Sequence, residues 1–140
     1  MSETVKFHFL VDGEDFNSAG HASVQMKKSL RQLGISPEII KKFSIAMYEG
    51  EINMVIHAGG GEADVLIYED RIELSLVDHG PGIANIELAM QEGFSTAPDD
   101  IRSFGFGAGM GLPNMKRYSD SIQINSKVGE GTQILMTFHL

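Results

Sequence analysis

The sequence predicts an α/β fold confined to one domain, residues 1–140, and two observations lead to this. A chain of 140 residues with 42% hydrophobic content is large enough for one core, and no long polar tract indicates disorder. Some segments alternate apolar and polar residues or are rich in Val and Ile, as strands are. They occur among segments in which apolar residues recur every three to four positions, as in helices.

The first predicted strand and helix occupy the N-terminal third of the chain. Residues 5–11 alternate apolar and polar side chains, and Asp12-Gly13 is a turn signal. A helix is expected to begin near Asn17-Ser18 and to end at Gly34. Its predicted buried face consists of Val24, Met26, Leu30 and Leu33.

A second, longer helix is predicted from Ser36 to Gly59. Ser36 is a good N-cap, Pro37 suits the first helical position, and Glu38 favours the positive end of the helix dipole. Three consecutive glycines, residues 59–61, end it, so that about 20 residues form a mostly buried helix.

The remaining chain is predicted to contain two Val- and Ile-rich strands, a short helix, a mobile loop, another helix and a closing hairpin. The two strands are residues 63–68 and 72–77, the short helix is 83–91 and the mobile loop is 94–108. The next helix is 109–118, and the hairpin consists of 121–126 and 132–139.

The composition excludes several functional classes. A net charge of −8, from 11 basic and 19 acidic residues, disfavours nucleic acid or an anionic membrane as a partner. The absence of Cys excludes disulfides and thiolate metal sites. Residues 1–16 do not resemble a signal peptide, and no apolar run approaches the roughly 18 residues of a membrane span. We therefore expect a cytoplasmic protein.

The first candidate site is on the long helix. Glu49 and Asn53 are four residues apart and share a helix face. Asn and the intervening Gly50 both disfavour helix interiors, which indicates that they serve a purpose. Glu49 could then lie over a Mg²⁺-bound phosphate with the Asn53 amide oxygen on the metal. Alternatively, Glu49 and Glu51 lie on a solvated face and Asn53 caps a loop. His57, one turn further, could line the same pocket or belong to the core.

The second candidate site follows a predicted strand. Asp78 opens the segment Asp-His-Gly-Pro-Gly-Ile, where its carboxylate could accept a hydrogen bond from an exocyclic amino group such as that of adenine. Gly80 and Gly82 would let a flat ligand approach the backbone. The same segment is equally typical of an ordinary turn.

The third candidate site is a glycine-rich run that leads into a helix. Glycine occupies every second position from Gly105 to Gly111, and amides at a helix N-terminus bind anions. The run is neither a P-loop nor a dinucleotide fingerprint, and a flexible loop with close helix packing is the alternative. Together, the three sites indicate an ATP site.

In their order and spacing these blocks resemble the sequence boxes of the GHKL superfamily, which includes gyrase, the ninety-kilodalton chaperone, histidine kinases and MutL. The chain is most similar to the anti-sigma-factor serine/threonine kinases, especially their switch-kinase branch. The matching segments are Glu49-x-x-x-Asn53, Asp78-x-Gly80-x-Gly82-Ile83, Gly109-Met110-Gly111-Leu112 and Gly131-Thr132.

The resemblance implies a Bergerat ATP-binding fold: an α+β two-layer sandwich with a mixed, mostly antiparallel sheet backed by helices and a mobile lid. It implies Glu49 as general base, Asn53 as Mg²⁺ ligand and Asp78 as the residue that reads adenine. Thr132 would support the Asp78 end. The further ATP-binding residues would be His57, Gly80, Gly82, Ile83, Thr96, Arg102, Gly107, Gly109, Met110, Gly111 and Leu112. Glu51 departs from the pattern, because it adds a second acid beside the base.

The function implied is an ATP-dependent protein serine/threonine kinase of a bacterial partner-switching system, with ATP and Mg²⁺ as cofactors. Its substrate would be a STAS-domain antagonist protein, and a sigma factor or another signalling protein is a further possible partner. A homodimer is compatible with the resemblance. A non-catalytic ATP-binding module that sequesters its partner, a free-standing ATPase and a histidine-kinase fragment are the alternatives.

Overall fold

The computed structural model describes residues 4–13, 20–83 and 111–140, which form five strands and three helices. In chain order they are β1 (Val5–Asp12), α1 (His21–Gln32), α2 (Pro37–Ala58), β2 (Gly60–Ile67), β3 (Arg71–Asp78), α3 (Gly111–Tyr118), β4 (Ser121–Lys127) and β5 (Gly131–His139). The short helix predicted at 83–91 and the loop predicted at 94–108 lie outside the described residues, apart from Ile83.

The five strands form one sheet in the order β1-β2-β3-β5-β4, and every neighbouring pair is antiparallel. The predicted mostly antiparallel sheet is therefore confirmed, and no parallel pair occurs among the described strands. The register places Asp78 of β3 opposite Thr132 of β5, and Thr132 opposite Ser126 of β4. Side chains from three strands thus meet in one row at this end of the sheet.

The helices cover one face of the sheet, as a two-layer α+β sandwich requires. Alternate residues of the strands point at the helices and are buried. The long helix α2 lies at the centre, where the Phe43 ring packs on Phe138 of β5 with 5.2 Å between ring centroids. The core of the described residues is one cluster, and a single domain over residues 1–140 stays a prediction.

The ends of α2 are those the sequence predicts. The Ser36 hydroxyl accepts a hydrogen bond from the Ile39 N–H at 3.4 Å, and Pro37 is the first helical residue. Gly59, with φ of 72°, ends the helix in the left-handed conformation that glycine adopts at little cost. No helix of the described residues is long and apolar enough to cross a membrane.

The predicted buried face of α1 is only half right. Met26 and Leu30 are fully buried, whereas Val24 and Leu33 are 55% and 45% exposed. Val24 lies on the opposite side of the helix from Met26, and Leu33 follows the last helical residue. The predicted start near Asn17-Ser18 lies outside the described residues, in which Gly20 is the N-cap and His21 begins the helix.

Candidate functional site

The C-terminal half of α2 and the start of α3 bring the first and third sequence blocks together. The Glu49 Oε1 atom accepts a hydrogen bond from Asn114 Nδ2 at 3.2 Å. A Cβ atom on Gly111 would lie 3.9 Å from Asn53 Oδ1 and 4.0 Å from Glu49 Oε2. Glu49 and Asn53 therefore face the first residue of α3, and both are only partly buried.

Asn114 is a site residue that the sequence interpretation missed. It lies in the first turn of α3 and fixes one carboxylate oxygen of Glu49, so that Oε2 is the atom nearer Gly111. A signal was available, because Asn disfavours helices and stands three residues after the last glycine of the run.

Leu112 anchors the first turn of α3 rather than facing outward. Its side chain is 6% exposed and belongs to the hydrophobic core. Any contact of Leu112 with a nucleotide would therefore involve its backbone. The first backbone N–H groups of α3 point out of its N-terminal end and have no acceptor within the helix. This is the usual geometry of an anion-binding site.

The Asp78 carboxylate is held in a fixed orientation at the end of β3. Its Oδ1 atom accepts hydrogen bonds from the backbone N–H of Gly80 at 3.0 Å and of Thr132 at 3.2 Å. Among residues 4–13, 20–83 and 111–140, no hydrogen bond involves Oδ2. The side chain thus presents one acceptor oxygen that is free to bind a donor.

Hydroxyl groups of β4 and β5 support the turn that follows Asp78. Thr132, buried and opposite Asp78, shares a hydrogen bond with Ser126 at 2.9 Å between their hydroxyl oxygens. The Ser126 hydroxyl also accepts the Ile83 N–H at 2.7 Å. The support predicted for Thr132 therefore has a partner, Ser126, which the sequence interpretation missed.

The glycines after Asp78 are required by contacts within the protein. A Cβ atom on Gly80 would lie 2.6 Å from Ala58 Cα, and one on Gly82, with φ of 79°, would lie 2.4 Å from the Lys127 carbonyl oxygen. Close packing of backbone on backbone accounts for both glycines without a ligand. Their predicted place beside an adenine stays a prediction.

His57 lies on the same side of α2 as the Asp78 turn. Burial lowers the pKa of His57, and the negative charge of Asp78 opposes this without cancelling it. The imidazole is therefore mostly neutral at pH 7. The interaction with Asp78 agrees with a position at the edge of the site, where the sequence allowed either a pocket or a core residue.

Glu51 has a structural role, contrary to its interpretation as an acid on a solvated face or beside the base. Its side chain is 3% exposed. The Oε2 atom accepts hydrogen bonds from the backbone N–H groups of Gly20 at 2.9 Å and Ala22 at 3.2 Å, and Oε1 accepts one from the N–H of Ser23 at 3.1 Å. Glu51 therefore caps the N-terminus of α1 and does not take part in the site.

Several predicted site residues lie outside the described residues, and their roles stay predictions. They are Thr96, Arg102, Gly107, Gly109 and Met110.

The sequence of this chain matches a protein family over most of its length. The family described as histidine kinase-, DNA gyrase B-, and HSP90-like ATPase matches residues 41–140. The chain belongs to this ATPase family. The GHKL resemblance is thereby confirmed, and the matched range contains Glu49, Asn53, Asp78 and Thr132.

Relatives within the family are similar over most of both chains. The chain is 33% identical over 108 residues to the serine/threonine-protein kinase RsbT of Bacillus subtilis, covering 74% of this chain and 75% of that protein. It is 30% identical over 141 residues to the anti-sigma F factor of Clostridium acetobutylicum, covering 97% and 93% respectively.

A solved structure shares the fold of this ATPase domain. It contains the RsbU and RsbW domains of a Mycobacterium tuberculosis protein, and the two superpose with a TM-score of 0.66 at 17% identity. The match covers 96% of this chain and 32% of the longer one. At this identity the likeness supports the fold, an α+β sandwich with an antiparallel sheet.

Proposed function

We propose that this chain is an ATP-dependent protein serine/threonine kinase that phosphorylates a Ser or Thr of a STAS-domain antagonist in a bacterial partner-switching system. The observation that carries the proposal is the carboxylate of Glu49, which Asn114 holds by one oxygen while the other is directed at the start of α3 beside Asn53. The similarity to RsbT, named a serine/threonine kinase, supports it.

The side chains fit ATP and Mg²⁺. Asn53 supplies a hard amide oxygen, which suits an ion that takes few ligands from protein and the rest from water and phosphates. Among the described residues no group of three or more His, Cys, Asp or Glu could form a protein-only metal site. The free oxygen of Asp78 would accept the exocyclic amino group of adenine, and the bound metal would neutralise phosphate charge.

The chemical task of this chain is to position a hydroxyl and to accept its proton. The substrate oxygen would form a bond to the γ-phosphorus as the bond to the β–γ bridging oxygen breaks, and ADP would leave. Glu49 would take the hydroxyl proton on Oε2. Asn114 would keep that oxygen in place through its hydrogen bond to Oε1.

The test is transfer of labelled γ-phosphate from Mg-ATP to a STAS-domain protein encoded near this chain. We expect Glu49→Gln to slow transfer by roughly 100-fold or more, the usual contribution of a general base, with ATP affinity little changed. Glu62→Gln, an exposed acid of β2, is the matched control. Transfer by Glu49→Gln at the rate of the wild type would refute the role of Glu49.

A non-catalytic module that sequesters its partner is the second candidate, favoured by the similarity to anti-sigma F factors over nearly the whole chain. It predicts ATP-dependent, stoichiometric partner binding without phosphoprotein. A labelled STAS protein in the same assay would exclude it.

A further inference from the structure

A groove between α1 and α2 lies apart from the candidate ATP site. Its volume is about 520 Å³, and it is open to solvent. It is lined by the second half of α1 and the first half of α2, most of which precede the residues matched by the ATPase family. No described residue of the candidate ATP site lines the groove, and the groove residue nearest to Glu49 in the chain, Ile45, precedes it by one helical turn, or about 6 Å of helix rise.

The rim of the groove is basic in an acidic protein. Three of the eight described residues that line the groove are basic and none is acidic, whereas the whole chain has a net charge of −8. Lys27, Arg31 and Lys41 line the groove from both helices and are exposed. Within the described part of the chain, no ion pair or hydrogen bond engages these three side chains, so their charges are available to a ligand.

The floor of the groove contains aliphatic side chains. Ile35 and Ile45 are partly buried and provide aliphatic surface between the two helices, whereas Ile40 is 4% exposed and belongs to the core. Ser44 also lines the groove, and its Oγ atom is buried without a hydrogen-bond partner in the described structure. Because this atom is covered by protein, it adds nothing to the surface that a ligand in the groove would contact.

We propose that this α1–α2 groove binds an acidic, amphipathic peptide segment of a partner protein. Carboxylates of the segment would pair with Lys27, Arg31 and Lys41, and an aliphatic or aromatic side chain would cover Ile35 and Ile45. An inorganic anion could use the cations but would leave the apolar floor in water. Duplex nucleic acid would be repelled by the acidic remainder of the chain.

The experiment is a selection from a random displayed dodecapeptide library on the full chain, followed by anisotropy titrations of the selected peptides. We expect enrichment of Asp and Glu around an apolar residue. Affinity should fall at least about tenfold in the triple variant K27Q/R31Q/K41Q. The matched control is K6Q/K28Q/K42Q, which loses the same charge at exposed positions that do not line the groove and should keep affinity within about twofold.

Three outcomes would overturn the proposal: no acidic enrichment, equal binding to both triple variants, or displacement of the peptides by Mg-ATP. Inorganic tripolyphosphate serves as the small-anion probe. Binding of tripolyphosphate as tight as that of the peptides, and equally sensitive to K27Q/R31Q/K41Q, would assign the groove to small anions instead.

Ser44→Ala is a further control, because the Oγ atom is covered by protein. Removing an unpartnered buried hydroxyl should leave the thermal midpoint unchanged or raised, and peptide affinity should stay as in the wild type. These results do not depend on phosphotransfer, so they stand or fall separately from the proposed kinase activity.

Discussion

At the scale of single residues, Asp78 offers a sharp test of nucleotide recognition. Asp78→Asn keeps an oxygen for the N–H groups of Gly80 and Thr132 but puts an NH₂ group in place of the free carboxylate oxygen. We expect ATP affinity, measured by calorimetry, to fall at least about tenfold, because two amino groups would face each other. The control is Asp64→Asn, which replaces a carboxylate that pairs with His8 on the same sheet. Equal losses of ATP affinity in both variants would contradict the role of Asp78.

The pH dependence of stability provides a second test at this scale. The pKa of His57 is lowered by burial below its ordinary value of 6.5. Between the folded and the unfolded pKa of His57, the unfolded chain binds more protons than the folded one. The contribution of His57 to the free energy of unfolding is therefore fully present above about pH 6.5 and is lost as the pH falls through the folded pKa.

An NMR titration of the His57 imidazole should therefore give a midpoint below that of the urea-unfolded protein. Asp78→Asn should lower the midpoint further, because it removes the negative charge that opposes the effect of burial. A native midpoint at or above the unfolded one would show that burial does not dominate.

How far single residues could be predicted depended on whether their roles are local or long-range. Glu49 and Asn53 share a helix face, and helical spacing alone showed it. Glu51, two residues from Glu49, could not be assigned, because the N–H groups that it binds are about 30 positions away in the chain. Ser126 was missed for the same reason, since only strand register sets it opposite Thr132.

At the scale of elements, Glu51 is expected to hold α1 against α2. Glu51→Gln keeps one acceptor oxygen but turns an NH₂ group toward backbone N–H groups of the α1 N-terminus. We expect urea unfolding to show a loss of about 1–3 kcal/mol, the cost of buried donors left without acceptors.

The control for Glu51 is Glu38→Gln, which removes an exposed carboxylate 3.6 Å from Lys42. The exposed pair contributes at most about 0.5 kcal/mol, and the position of Glu38 in the first turn of α2 contributes about 0.3–1 kcal/mol through the helix dipole. If both variants lost the same small amount, Glu51 would not be the cap that joins the two helices.

Gly50 is expected to matter through packing rather than chemistry. A Cβ atom there would lie 2.1 Å from Leu76 Cδ1 of β3. Ala favours a helix over Gly by about 1 kcal/mol, yet we expect Gly50→Ala to destabilise the protein by about 1–3 kcal/mol, because the core is overpacked. Thermal unfolding measures the balance. A stabilised variant would show that Leu76 yields without cost.

Element boundaries were predictable where local chemistry sets them. Ser36, Pro37 and Gly59 determined both ends of α2 from adjacent residues alone. The buried face of α1 was predicted less well. Val24 is apolar like Met26 but points away from the sheet, and composition does not tell which apolar side of a short helix meets the core.

At the scale of the whole molecule, the sheet order could not be deduced from periodicity. β3 pairs with β5 although α3 and β4 lie between them in the chain, so that Asp78 meets Thr132 across 54 positions. Alternating apolar residues indicate a strand but carry no information on its neighbour. The GHKL resemblance supplied the architecture, and the geometry of the row Asp78, Thr132 and Ser126 required the folded chain.

Ligand linkage tests the whole domain, since a ligand that binds only the folded state stabilises it by mass action. At about 100 times its Kd, Mg-ATP should add about 2.7 kcal/mol to the free energy of unfolding.

We expect Glu49→Gln to keep this gain, because its proposed role is in transfer. Asn53→Ala should lose most of the part that EDTA abolishes in the wild type, because Asn53 is the proposed metal ligand. Thermal shifts with ATP, with and without Mg²⁺, measure each contribution. An equal Mg²⁺-dependent gain in Asn53→Ala and wild type would show that Asn53 does not hold the metal. The ion near Glu49 would then be positioned by the phosphates alone.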